Sequence, residues 1–313
     1  MPRTILSYVS LPPLGLEQLE PHFNLLRLYK EEDPRAAIEA AKNDISGIVT
    51  WHSYVVDEAL IESLPNLEII ASFSVGTDHI DLDAAKKREI IVTNTPDLVT
   101  NDTADTALAL MLNVARRFVE ADAYVRVGKW EREGNIGLGH RMGGKTVGIV
   151  GLGRIGKAIA KRAEAFGCTI KYTGRAPKED VDYEFIPDLK DLAQISDFLV
   201  LSCAATEKTR GMIDLNVLNA LGPKSYLINV ARGSIVIEDD LLAALSNRAI
   251  AGAGLDVFAA EPRVPDALKT MDNVVLLPHV GTATVETRTE MAQLVIDNVL
   301  GWFDKGKVLT RVV

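Results

Sequence analysis

Three polar residues in the second half of the chain stand just beyond short apolar runs. Arg232 follows Leu227-Ile-Asn-Val-Ala231, Glu261 follows Gly254-Leu-Asp-Val-Phe258, and His279 follows Val274-Val-Leu-Leu-Pro278. Each run reads as a buried strand, and open parallel sheets place their ligands at the carboxyl ends of the strands. A lone histidine in such a place is usually structural. Arginine, glutamate and histidine at successive strand ends form a set that can do chemistry. An imidazole moves a proton near neutral pH, a carboxylate holds the ring by charge and hydrogen bonding, and a guanidinium clamps a carboxylate or polarises a carbonyl oxygen.

A second constellation lies earlier. Gly151-Leu-Gly-Arg-Ile-Gly156 follows the strand-like Thr146–Val150 and opens an amphipathic stretch running from Ile155 to Phe166. In such a turn Gly151 permits the sharp bend, Gly153 lets backbone approach a pyrophosphate, and Gly156 lets helix pack close on strand. Backbone N–H groups and the helix dipole then hold the dinucleotide. An NAD site carries an acid about 20 residues further on, to bind the ribose. Here the strand ends Lys171-Tyr-Thr-Gly-Arg-Ala-Pro-Lys178, with Thr173 where the acid is expected. An acid would repel a 2′-phosphate. Arg175 can make charge-assisted bonds to one, helped by Thr173 and the Gly174 backbone, which favours NADP(H) over NAD(H). Lys178 is a weaker candidate, more often solvated, and Glu179 and Asp180 lie too far along for the ribose. Beside such a cofactor the three polar residues suit reduction of a 2-keto acid. Hydride adds to carbon, His279 supplies the proton to oxygen, Glu261 holds the ring and Arg232 clamps the substrate.

These side chains need a scaffold. In the first hundred residues, 45–50, 67–73 and 90–94 read as strands, while 57–64 and 81–88 read as short helices. One long helix is expected over 101–125, capped by Asn101 or Asp102, with Ala104, Leu108, Met111, Leu112 and Ala115 on its apolar stripe. The six glycines of 128–144 read as a long irregular excursion. A regular series follows, with strands at 146–150, 169–173, 198–202, 226–229, 252–257 and 274–277, six in all. A last helix, about 284–303, is expected to return to the N-terminal part. The fold class is therefore α/β with two doubly wound parallel-sheet domains. A Rossmann cofactor domain, 100–283, is inserted in a flavodoxin-like substrate domain, 1–99 plus 284–313.

Composition narrows the classes. The 313 residues are 47% hydrophobic and 25% charged, as in folded globular proteins, and the length suits two domains. A net charge of −9 argues against nucleic acid or anionic lipid as partners. An anionic small substrate would need a locally positive pocket. The two cysteines, Cys168 and Cys203, sit in apolar runs, fit no zinc or disulfide spacing, and suit a reducing cytosol. No metal is expected. No run approaches a membrane span, and the N-terminus has no signal-peptide pattern, so a cytoplasmic location is expected.

The sequence resembles the D-isomer-specific 2-hydroxyacid dehydrogenase family nearly end to end. The likeness rests on Ser74-Val-Gly-Thr-Asp-His-Ile-Asp81, Val92-Thr-Asn-Thr-Pro96, 147–156, Leu227-Ile-Asn-Val-Ala-Arg-Gly233, 252–262 and Leu277-Pro-His-Val-Gly-Thr282. Within the family it looks most like the glyoxylate/hydroxypyruvate and hydroxyphenylpyruvate reductases. The run Tyr172–Arg175 resembles their NADPH-preferring pocket, and 276–288 their catalytic strand and helix. The resemblance implies that Arg232, Glu261 and His279 are catalytic, and that the N–H groups of Val75 and Gly76 bind the substrate carboxylate. Thr103, Arg154, Ile155, Cys203, Thr209, Val230, Asp256 and Gly281 match positions that line the cofactor, Asp256 near the nicotinamide amide. His52 and His79 do not match the catalytic position, and His79 reads as structural.

The stretch Cys203-Ala-Ala-Thr-Glu-Lys-Thr209 departs from the family pattern, where a proline often comes early; loop details are affected rather than chemistry. Trp51 and Ser53, past a small-domain strand, are expected at the cleft. Trp51 either shapes the side-chain pocket or packs at its rim, and Ser53 touches a carboxylate. Family members are usually dimers joined through the cofactor domains, with 101–125 and 128–144 at the contact, and a homodimer is expected here. Two alternatives stand beside a keto-acid reductase: an NAD-linked dehydrogenase working oxidatively, which the missing acid opposes, and a corepressor-like dinucleotide-sensing protein.

Overall fold

Short runs of β-branched and other apolar residues, most of them buried on both faces, form the sheets, and among the described residues each sheet strand is parallel to its neighbours. The computed structural model describes residues 3–313. The chain divides into two compact units, one running up to Val99 and resuming at Thr282–Val313, the other Thr100–Gly281.

In the first unit the strands are β1 (Thr4–Ser7), β2 (Asn24–Arg27), β3 (Ile45–Thr50), β4 (Ile69–Ser72) and β5 (Ile91–Thr93). Helices α1 (Pro34–Ala41), α2 (Glu58–Ser63) and α3 (Leu82–Lys87) cross between them. Each helix starts on an aspartate whose carboxylate accepts first-turn N–H groups: Asp33, Asp57 and Asp81. The order β2-β1-β3-β4-β5 is the flavodoxin-like winding. β1, β2 and α1 add to the elements expected from sequence. Both strands have only four residues, too few for a periodicity to declare itself.

The second unit begins with α4 (Thr100–Arg116), α5 (Phe118–Arg126) and α6 (Lys129–Glu133). Here the expected single helix is corrected. Arg117, at φ 57°, breaks it, and its guanidinium forks onto Glu120 of the next turn at 2.6 and 2.7 Å. The returning chain also takes the helix end, since His140 N–H donates to the Ala115 carbonyl at 2.7 Å. Asn101 and Asp102 lie inside the first turn instead of capping it. The 128–144 excursion is irregular only after α6.

The unit continues β6 (Thr146–Val150), α7 (Arg154–Ala165), β7 (Thr169–Thr173), β8 (Glu184–Phe185), α8 (Leu189–Gln194), β9 (Phe198–Leu201), α9 (Leu215–Leu221), β10 (Tyr226–Asn229), α10 (Glu238–Ser246), β11 (Gly252–Leu255), α11 (Asp266–Thr270) and β12 (Val274–Leu276). Its sheet has seven strands, not six, ordered β12-β11-β10-β9-β6-β7-β8. The added β8 is two residues long and pairs only with β7. The winding reverses between β6 and β9, where Rossmann sheets bind dinucleotides. One face of the sheet is covered by α4 and α7, whose Leu108, Met111, Ile159 and Ala163 join Val147, Ile149 and Ile228 in the core.

The last helix, α12 (Val285–Lys305), belongs to the first unit and packs on β4. Beyond it the tail pairs with β5, Val312 N–H donating to the Val92 carbonyl at 2.7 Å. Asn298, fully buried in α12, ties helix to tail. Its amide donates to Leu294 O and Thr310 Oγ1, and its oxygen accepts from the N–H groups of Leu309 and Thr310. No helix among the described residues is long and apolar enough to cross a membrane.

Replacing Asn298 with alanine removes the acceptor of the Leu309 and Thr310 N–H groups and a donor to the Thr310 hydroxyl, which keeps its bond to the Asn94 carbonyl. About 2–3 kcal/mol of stability should be lost, read as a lower urea midpoint. An unchanged midpoint would show that the tail is not held by this side chain.

Candidate functional site

The glycine-rich turn leaves β6 at Gly151, with φ +95°. A side chain there would meet the Cys203 backbone at 2.7 Å, and one at Gly156 would meet the Gly151 carbonyl at 2.3 Å. Protein packing therefore accounts for both glycines. It does not account for Gly153 or Gly174, where an added Cβ meets nothing within 4 Å. Gly153 is the N-cap of α7, and no side chain caps the first turn of this 12-residue helix. A cradle that bare backbone leaves open at a helix N-terminus fits a pyrophosphate.

β7 ends beside that turn. The Gly151 N–H donates to the Thr173 carbonyl at 2.9 Å. The Thr173 side chain is buried, and its hydroxyl donates to the Pro187 carbonyl at 3.3 Å. It therefore holds the strand end, and the exposed groups there are the Gly174 backbone and Arg175. Among the described residues Arg175 has no ion-pair partner. Cys203, just past β9, is half-buried, and burial pushes its thiol up to about 11. The thiol is therefore held neutral at pH 7, which makes it a poor nucleophile.

The three polar residues follow the ends of β10, β11 and β12, with Glu261 and His279 in direct contact and Arg232 Nη1 donating to the Ala231 carbonyl at 2.8 Å. Asn229 closes the turn after β10, its amide donating to Arg232 O at 2.9 Å and its oxygen accepting from Ala231 N–H at 3.0 Å. Gly233 then lies so close to Phe258 that a Cβ would overlap its carbonyl carbon at 1.9 Å. Only glycine lets the Arg232 turn sit against the segment leading to Glu261. The Glu261 carboxylate accepts the Phe258 N–H at 3.0 Å with one oxygen and faces His279 Nδ1 at 2.7 Å with the other. With Nδ1 engaged by the carboxylate, Nε2 is the ring atom through which the imidazole can exchange a proton.

Asp256 shapes this corner. His279 is held at φ 54°, a left-handed conformation that costs a non-glycine residue about 1 kcal/mol. The His279 N–H donates to the Asp256 carbonyl at 2.9 Å, and the N–H groups of Val280 and Gly281 donate to its two carboxylate oxygens, each at 2.8 Å. Burial pushes the Asp256 carboxyl up, and the two backbone N–H groups pull it back down. Thr103, buried on α4, lies beside Gly281.

Other residues matched to the cofactor are placed less directly. Thr209 spends its hydroxyl inside its own loop, donating to Ala204 O at 2.8 Å and accepting the Thr206 N–H at 2.8 Å. Val230 is buried in the core, Ile155 is half-buried, and Arg154 is exposed on the first turn of α7.

In the first unit, Val75 and Gly76 follow β4. The Val75 carbonyl accepts from Asn94 Nδ2 at 2.9 Å and the Gly76 carbonyl from Ser74 Oγ at 2.7 Å. Behind them Ser72 Oγ lies 2.8 Å from Ser74 Oγ and 3.4 Å from His79 Nε2, all three side chains buried. His79 thus supports this loop. With both carbonyls engaged, the N–H groups of Val75 and Gly76 have no partner among the described residues. Trp51 packs its ring on His52, on Phe73 and under the Arg288 guanidinium, 4.9 Å from the ring centroid. Ser53 is exposed, 3.3 Å from His52 Nδ1. His79 was read as structural from sequence, but Arg288 and the Ser72–Ser74 pair in front of it were not singled out. Nothing local distinguishes a buried hydroxyl that braces a loop from one that merely packs.

Comparison with known proteins gives concordant findings. A family model described as D-isomer specific 2-hydroxyacid dehydrogenase, NAD binding domain, matches residues 108–281. The chain is 51% identical over 296 residues to a glyoxylate/hydroxypyruvate reductase A of Arabidopsis thaliana, covering 95% of this chain and 94% of the relative. It is 45% identical over 297 residues to the hydroxyphenylpyruvate reductase of Plectranthus scutellarioides, covering 95% of each. Among solved structures, the NADPH-dependent glyoxylate/hydroxypyruvate reductase of Sinorhizobium meliloti, in complex with NADP and malonate, aligns with a TM-score of 0.92 and 43% identity. That alignment covers 100% of this chain and 97% of the other.

The two kinds of glycine separate in experiment. Gly153→Val should leave the melting temperature unchanged and weaken dinucleotide binding more than about tenfold by titration. Gly156→Ala should lower the melting temperature, since overpacking costs about 1–3 kcal/mol. Equal effects on folding would remove the argument for an open cradle.

Proposed function

The chain belongs to the D-isomer specific 2-hydroxyacid dehydrogenase family, and we propose that it reduces small 2-keto acids to D-2-hydroxy acids with NADPH. Glyoxylate and hydroxypyruvate are the first candidates, with phenylpyruvate-type acids beside them, in keeping with the names of its relatives. The observation that carries the chemistry is the His279–Glu261 pair, 2.7 Å apart at the strand ends of the Rossmann-type sheet.

The dinucleotide supplies hydride to the keto carbon. The chain's own groups do the rest. Arg232 and the N–H groups of Val75 and Gly76 take the substrate carboxylate and carbonyl oxygen, placing positive charge where negative charge develops. His279 delivers a proton from Nε2 to that oxygen, while Glu261 holds the ring at Nδ1 and faces the imidazolium in the charged state. Trp51 and Ser53 are assigned to the substrate side chain. Gly151, Gly153, Arg154, Ile155 and Gly156 hold the pyrophosphate. Thr103, Cys203, Thr209, Val230, Asp256 and Gly281 line the rest, Asp256 toward the nicotinamide amide. Arg175 and the Gly174 N–H meet the 2′-phosphate, with Thr173 bracing them from the strand end. NADPH is supported by Thr173 standing in place of an acid with exposed Arg175 beside it, and by the NADP in the Sinorhizobium meliloti reductase complex.

On this reading 100–283 is the dinucleotide-binding domain and 1–99 plus 284–313 the substrate domain. A homodimer through the former is supported by apolar side chains left exposed on and after α5, namely Phe118, Val119, Val125, Val127, Trp130 and Leu138. Two free cysteines suit the cytoplasm.

His279→Ala should cut kcat at least ~10²-fold, as loss of a general acid does, with NADPH affinity preserved. Assays of glyoxylate, hydroxypyruvate and phenylpyruvate with both cofactors accompany it. Near-normal turnover, or a clear NADH preference, would falsify the corresponding assignment. For the dimer, sedimentation should give twice the chain mass, and Leu138→Asp with Trp130→Glu should halve it.

A further inference from the structure

The loop that carries Arg175 leaves a buried strand and has no secondary structure of its own from Gly174 to Lys178. A free arginine on a free loop would bind a phosphate weakly, because ordering both opposes binding. The loop is not free. Tyr172, the penultimate residue of β7, points into the core, where it is 1% exposed and its ring lies 5.3 Å from that of Phe185 on β8. Its phenol oxygen nevertheless reaches the loop and accepts the Lys178 N–H at 2.6 Å.

That bond joins positions 172 and 178, closing the segment Thr173-Gly-Arg-Ala-Pro-Lys into a ring with Arg175 near its middle. Both sides of the ring are anchored elsewhere. The Thr173 carbonyl holds the Gly151 N–H, its hydroxyl holds Pro187, and the Ile186 N–H donates to the Tyr172 carbonyl at 2.8 Å. Past Lys178, Asp180 pairs with Lys157 on α7. Pro177 removes one soft dihedral from the ring. Among the described residues, the hydrogen bond that ties the loop's far limb to the sheet core is the one to the phenol oxygen of Tyr172.

We propose that Tyr172 is a positioning residue for cofactor choice: its buried hydroxyl pre-organises the Gly174–Lys178 loop so that Arg175 and the Gly174 N–H are set for a 2′-phosphate. This rests on the NADPH reading above. Tyr172 touches no ligand; it acts through the Lys178 backbone. A phenylalanine keeps the ring, the Phe185 contact and the core volume, and removes only the acceptor.

The test uses the full-length protein, with 2′,5′-ADP and 5′-AMP as probes that differ only in the 2′-phosphate. In Tyr172→Phe the affinity for 2′,5′-ADP by calorimetry should fall about 5–10-fold, the effect of one lost hydrogen bond. Affinity for 5′-AMP should stay within about twofold, and hydrogen exchange at the Lys178 amide of the ligand-free protein should quicken. Equal weakening of both probes would overturn the inference, since it would mean a general structural role. So would unchanged 2′,5′-ADP affinity in Tyr172→Phe when Arg175→Ala does lose it. If the parent protein does not discriminate the probes and Arg175→Ala changes nothing, the NADPH reading itself fails, and this inference with it.

Discussion

A single buried carboxylate sets the shape of the reactive corner. Asp256 is 2% exposed, and a carboxylate taken out of water needs donors to offset its lost hydration. It finds them in the backbone of the chain beyond β12, the N–H groups of Val280 and Gly281, while its own carbonyl takes that of His279. Three consecutive N–H groups are thereby tied to one residue of the neighbouring strand. The bend this requires puts His279 at positive φ. The same bend delivers its ring to Glu261, whose other oxygen is already committed to the Phe258 N–H. The geometry of the pair is thus decided by backbone hydrogen bonds, which are short-range and directional, more than by attraction between two side chains.

The cofactor end depends on a comparable economy of donors. Net charge is −9, so an anionic dinucleotide must be drawn by local groups against the general field. On the proposed reading, the N-terminus of α7, the bare backbone at Gly153 and Gly174 and the guanidinium of Arg175 would be such groups. They come from loops after β6 and β7, which the sheet order places side by side, and the bond from Gly151 N–H to Thr173 O links the two loops.

Some of this was readable from the chain and some was not. Gly151, Gly153 and Gly156 announced a phosphate turn because backbone chemistry restricts residue type locally. Arg232, Glu261 and His279 stood out because each follows an apolar run ending at a sheet edge. By contrast, the break at Arg117 depends on a fork to Glu120 and on a cap from His140, 23 residues beyond the break, and no periodicity records it. Two-residue β8 exists only because β7 lends it a partner. Thr173 looked like a phosphate ligand from its position, yet its hydroxyl is turned to Pro187.

The order of apolar runs, the glycine spacing and the absence of an acid at Thr173 are properties of neighbouring residues, and they determined the fold class, the dinucleotide turn and the bias in its charge. Which oxygen of Asp256 meets which N–H, where the imidazole of His279 is aimed, and that a core tyrosine reaches out to hold the loop of Arg175 were decided only by the tertiary structure. Each of these joins residues on different elements, or across a loop, through a hydrogen bond a few ångströms long, and distances of that kind are set by packing, not by sequence separation.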